Sequence, residues 1–165
     1  PIINGLEQKD GRKYRAEKVS HRFAEGVSSL SLNLEKAYTE GAHVEKWQRN
    51  IALDREYNWV EVTEQYKLDS LQIEKDRLNG QVFDNQIVLM AYGKPVVQKA
   101  GRILLQGGLV RLEYDAQYLS ASVEKVQMTD GIMKMQWKDN IYRIILRLND
   151  NYPMAKMKYR FVETR

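Results

Sequence analysis

Cysteine is missing from this chain, which excludes a disulfide framework and any zinc site built on thiolates. The redox compartment stays open. Histidine occurs only at His21 and His43, with no His-x-His or His-x-x-x-His pair. That supply is too small for a metal site needing three converging ligands, so no metal ligand and no cofactor is assigned to these residues. No apolar run approaches the roughly 20 residues that span a bilayer, and no signal-peptide pattern is visible. A Gly-x-Ser-x-Gly elbow is missing as well. The glycines of Gln106-Gly107-Gly108 read as a turn, because no helix pattern follows them to hold a phosphate. Carboxylates are plentiful, but nothing in their order pairs them as a glycosidase would need. No catalytic residue is assigned.

The charges that are there lie close to balance. Lys and Arg number 26 against 22 Asp and Glu, a net +4, and the two signs interleave. The densest basic stretch, Arg12, Lys13, Arg15 and Lys18, reads as the wet face of a strand. Without a basic stripe on a recognised module, nucleic acid is not an expected partner. An acidic polysaccharide fits the same charge. Ten Tyr and three Trp against three Phe tilt the composition toward rings that suit half-wet strands.

Period two dominates the hydrophobic pattern. Ser29-Leu30-Ser31-Leu32-Asn33-Leu34 sets three leucines on one face, and Trp59-Val60-Glu61-Val62-Thr63-Glu64 alternates too. Similar runs cover 86–92, 102–105, 109–114, 118–126, 133–137, 142–148 and 157–162. Turn signals separate them, including Lys9-Asp10-Gly11, Glu25-Gly26, Glu40-Gly41, Gly93-Lys94-Pro95, Asp130-Gly131, Lys138-Asp139-Asn140 and Asn149-Asp150-Asn151. Short strands with regular turns predict an all-β fold, an antiparallel β-sandwich of roughly ten or more strands, as a single domain over 1–165. One segment, 68–79, places Leu68, Leu71 and Leu78 near helical spacing. It reads as an irregular strand and loop, with a short helix closed by Gly80 as the alternative.

The candidate binding groups are aromatic and basic. Trp47, Trp59 and Trp137, with Tyr38, Tyr57, Tyr66 and Tyr118, are candidates for flat faces against sugar rings; packing between sheets is the competing reading. Arg49 suits a carboxylate or sulfate held by two parallel N–H groups, or a brace between strands. His21 and His43 are candidates for contact with a substrate, histidine being a common general acid or base, against the alternative of ordinary surface residues.

Several segments, taken in order, resemble one family. Pro1-Ile2-Ile3-Asn4-Gly5-Leu6-Glu7-Gln8, followed by Gly11-Arg12, is similar to the "I-N-G-x-x-Q … G" segment of heparinase II/III-like proteins. Leu34-Glu35-Lys36-Ala37-Tyr38 is similar to their "D-x-x-x-A-Y" element, with the acidic spacing altered. Val44 to Leu53 resembles their arginine-bearing strand, and Val60 to Tyr66 the strand written "V-x-V-x-D", with Glu64 near the acid position. Ile132 to Trp137 and Ile141 to Ile144 resemble the closing strands. The resemblance implies the carboxy-terminal β-sandwich of a larger polysaccharide lyase, whose amino-terminal part is an α/α toroid. It implies export to the periplasm or the medium by a bacterium, and eliminative cleavage of an acidic polysaccharide. The catalytic or metal-binding histidines of that sandwich are expected upstream of Pro1, so a structural metal belongs to the larger chain. Asn4, Gly5, Gln8, Tyr38 and Arg49 match family positions and are expected to line or support the sugar cleft. A free-standing carbohydrate-binding module and a purely structural sandwich are the alternatives.

Overall fold

Alternation becomes sheet along most of the chain. The computed structural model describes residues 1–80, 84–150 and 152–164; Asn151, from one expected turn, lies outside them. Among the described residues, eleven strands form two antiparallel sheets. The strands are β1 (Glu17–Ala24), β2 (Val27–Asn33), β3 (Val44–Asp54), β4 (Trp59–Leu68), β5 (Gln86–Ala91), β6 (Val96–Lys99), β7 (Arg102–Leu105), β8 (Val110–Tyr114), β9 (Leu119–Gln127), β10 (Asn140–Leu148) and β11 (Met154–Glu163). The large sheet runs β1-β2-β3-β4-β11-β8-β7-β6 and the small one β5-β10-β9. The fold is an all-β sandwich.

The turns that connect neighbours follow their residue types. Glu25 and Gly26 link β1 to β2 as a two-residue hairpin, both at positive φ (51° and 79°), the geometry whose twist matches the flanking strands. Residues opposite each other across an antiparallel pair share a face, so the register defines rows across the large sheet. One row reads Leu32, Arg49, Glu64, Met157; the next reads His21, Leu30, Ile51, Val62, Tyr159, Tyr114; a third reads Phe23, Ser28, Leu53, Val60, Phe161, Leu112, Ile103. These rows form the inner face.

From the small sheet, Ile87, Leu119, Ile144, Leu146 and Leu148 join one core with Trp47, Val62, Tyr66, Ile103, Leu112, Met157 and Tyr159. Burying each such side chain contributes about 1.5–3 kcal/mol. The cover is incomplete. Leu30, Leu53 and Val60 are half-buried and lie outside that core, and Val19 and Phe23 on the edge strand are 61% and 66% exposed.

Three local expectations differ from what the chain forms. Residues 70–78 make a helix, α1 (Ser70–Leu78), after the strand β4 ends at Leu68; the Asp69 carboxylate accepts the N–H groups of Leu71 and Gln72 and starts it. Met133–Trp137 belongs to a second helix, α2 (Gly131–Trp137), and not to a strand. Asp130 caps it through the N–H groups of Ile132 and Met133, both at 2.9 Å, so Asp130-Gly131 opens a helix where a hairpin turn was expected. The basic stretch Arg12 to Arg15 precedes β1 as a turn and bend, and only Lys18 lies in a strand.

Candidate functional site

Two opposite charges break the apolar alternation of neighbouring strands. On β3 the inward positions are Trp47, Arg49, Ile51 and Leu53, and on β4 they are Val60, Val62, Glu64, Tyr66 and Leu68. Arg49 and Glu64 stand directly opposite one another, so the sheet itself brings them into contact. The Glu64 side chain is fully buried. Its Oε1 accepts from Arg49 Nε at 2.7 Å and the Nη2 at 2.6 Å, and its Oε2 accepts from Trp47 Nε1 at 2.7 Å. The Tyr159 hydroxyl lies 3.5 Å from Oε1. A buried carboxylate is accommodated when donors of this kind take the place of water.

The groups around the pair are set to stay protonated. Burial disfavours the guanidinium of Arg49, but the Glu64 carboxylate outweighs it and holds the Arg49 pKa above its usual value. Burial pushes the Tyr159 phenol up, and the Glu64 charge pushes it further. Tyr38 and Tyr66 are also raised, chiefly by burial. None of these phenols is a base at neutral pH. Tyr38 donates to the carbonyl of Pro1 at 2.7 Å. Trp47 stacks on Tyr66 with centroids 4.8 Å apart and planes 14° from parallel. The cluster is a neutralised, hydrogen-bonded brace with one partly open side, since the Arg49 side chain keeps 21% of its exposure.

Next to this brace lies an open polar groove lined by Glu35, Tyr38, His43, Glu45 and Asp69. Glu35 secures its wall, accepting from Asn33 Nδ2 at 2.9 Å and from the Trp47 backbone N–H at 3.2 Å. Burial alone would raise the Glu35 pKa, but these hydrogen bonds and that from its own N–H bring it below its usual value. His43, in the left-handed conformation at φ 52°, meets the Asp76 carboxylate of α1 at 2.7 Å.

The structure therefore gathers Tyr38, Trp47 and Arg49, and it separates the rest; Gln8 is exposed and lines a different depression with Pro1 and Gln86. Trp47 is fully buried, so it supports the cluster from beneath and offers no ring face to a sugar. Asn4 is buried as a scaffold residue, its N–H donating to Asn85 Oδ1 and its side-chain amide to the Ala42 carbonyl. His21 is exposed on the edge strand β1, two strands away from Arg49, and His43 belongs to the groove and not to the cluster. Glu64 and Asp76 were not among the candidates. Glu64 was legible as a lone acid on the apolar face of its strand, facing a lone base on the next; Asp76 gave no such signal. Among the described residues no three His, Asp or Glu side chains gather as a metal site would need, and no helix is long and apolar enough to cross a membrane.

In comparison with known proteins, the chain matches no family model and no curated protein.

Proposed function

We propose that this chain is the accessory β-sandwich of a larger polysaccharide lyase of the heparinase II/III-like type, supporting the catalytic body and forming one wall of the cleft for an acidic, uronate-containing chain. The observation that carries this reading is convergence. Arg49 and Glu64, from two segments that resemble that family, form one buried ion pair, and Tyr38 from a third lies within electrostatic reach of it on the wall of an open groove. The bare inner face at Val19, Phe23, Leu30, Leu53 and Val60 adds support, because apolar surface of this kind fits a packing partner.

Eliminative cleavage needs a neutralised uronate carboxylate, a base for the C5 proton and an acid for the leaving oxygen. Here the tyrosines are protonated and Arg49 is tied to Glu64, so the sandwich positions the sugar chain, while neutralising the uronate carboxylate and moving the protons belong to the larger chain. Ultraviolet detection of unsaturated uronate on heparan sulfate, hyaluronan, chondroitin and alginate tests this. Activity in the larger chain and none in residues 1–165 is the expected result; activity in residues 1–165 alone, or silence from both, overturns it.

A further inference from the structure

The outer face of the large sheet has a different chemistry. Along the β4–β11 pair three depressions join end to end: the first reaches Lys46, Gln65, Lys67 and Lys156, the second Thr63, Lys156 and Lys158 with Glu61 and Asp115, the third Lys158 and Arg160 with Glu61, Glu113 and Asp115, so the uncompensated positive charge gathers at the first and fades toward the third. Neighbours share Lys156 or Lys158, so they form one furrow. From Met154 to Arg160 it follows β11 for roughly 20 Å at about 3.4 Å per residue, the length of a short oligosaccharide. Lys156, Lys158 and Arg160 recur at every second position, roughly 7 Å apart, on one face of the strand.

The cations here are placed at a cost to the fold. Lys46 stands directly opposite Lys67, a like-charge pairing that weakens a sheet. Glu45 binds Lys67, and Glu61 binds Arg160 at 2.5 Å and Lys158 at 3.5 Å, while Lys46 and Lys156 form no ion pair among the described residues. Between the cations sit Thr63 and Gln65, a hydroxyl and an amide suited to sugar hydroxyls. The tyrosine rings nearest the floor, Tyr66, Tyr114 and Tyr159, are buried on the other side of the sheet and unable to stack on bases.

We propose that this furrow binds a segment of an acidic polysaccharide, with Lys46, Lys67, Lys156 and Lys158 meeting its carboxylates or sulfates. The choice of polysaccharide rests on the proposed function, but the furrow lies on the face opposite the Arg49–Glu64 cluster and acts as a separate holding site.

The test is titration calorimetry of the 165-residue chain with a heparin hexasaccharide, an alginate hexasaccharide and a single-stranded DNA hexamer. Binding of one or both sugars, weakening as salt rises, is expected. The Lys67→Ser/Lys156→Ser variant is expected to lose at least tenfold in affinity. Lys9→Ser/Lys13→Ser, the same charge change on exposed residues elsewhere, is expected to stay within twofold. Melting curves check that each variant is folded. No sugar binding, unchanged affinity in the Lys67/Lys156 variant, equal loss in the Lys9/Lys13 control, or tighter binding of DNA each overturns the furrow. Lyase activity of the larger chain, assayed separately, decides the accessory-sandwich reading whatever the furrow does.

Discussion

The two ends of the large sheet's inner face carry similar side chains and have different fates. Toward β11, β8 and β7, Met157, Tyr159, Leu112 and Ile103 are 0 to 3% exposed, sealed by Ile87, Ile144 and Leu146 of the small sheet. Toward β1 and β2, the same alternation produces Leu30, Val19 and Phe23, which nothing among the described residues seals. Arg49 and Glu64 stand between the two regions. Period two therefore specifies which way a side chain points, and leaves open what covers it.

The largest effect is expected where the regions meet. Arg49→Ala leaves the Glu64 carboxylate buried without its cation and is expected to destabilise the chain by roughly 3–5 kcal/mol in urea unfolding. Arg49→Met with Glu64→Leu removes both charges and is expected to recover most of that loss. If Arg49→Ala proves neutral, the pair does not brace the sheet and the boundary drawn here is wrong.

A matched pair of truncations sharpens the contrast next. Leu112→Ala opens a cavity in the sealed half and is expected to cost about 2–5 kcal/mol. Leu53→Ala, in the same row on the open half, is expected to cost about 1 kcal/mol or less in this chain. If the chain is part of a larger lyase as proposed, the Leu53 penalty in that protein is expected to approach that of Leu112, since the proposal requires its face to be covered there. Equal penalties in the isolated chain would mean that the face is already closed.

Much of this architecture was legible before any coordinates. The leucines of β2, the alternation of β4 and the Glu25-Gly26 hairpin give strands and connections directly, and the sandwich follows from their number. The helices were not legible because short apolar runs serve either period. In Gly131-Ile132-Met133-Lys134-Met135-Gln136-Trp137 the apolar residues point all round the helix, and none is buried. The informative signal was Asp130, whose carboxylate serves two backbone N–H groups that a hairpin would have used otherwise. Asp130→Ala is accordingly expected to cost about 1 kcal/mol of local stability, seen as faster amide exchange in α2 with the sealed core unchanged. For the site, Arg49 takes the bracing role that was one of its two readings, and Trp47 takes the packing role and not that of a ring facing a sugar. A tryptophan's pattern shows that it points inward, but only the neighbouring Glu64 and Tyr66 show that both its face and its N–H are already occupied.

The smallest effect concerns the wall that joins the groove to the sealed half. Glu35 holds Trp47 and Asn33 through its ionised carboxylate, and its folded pKa lies below the unfolded value of about 4.3. A depressed carboxylate contributes stability that is complete above the unfolded pKa and disappears as pH falls through the folded one. Urea midpoints of wild type and Glu35→Gln at pH 6 and pH 3 measure it. The variant is expected to be slightly less stable at pH 6 and to lose less on acidification, a modest difference because Glu35 is partly open to solvent and screened. An identical acid loss in both proteins would mean that the carboxylate's charge does not hold the wall, leaving the neutral hydrogen bonds to do so. In that case the groove and the sealed core would be coupled by packing alone, and the boundary between them would be insensitive to pH.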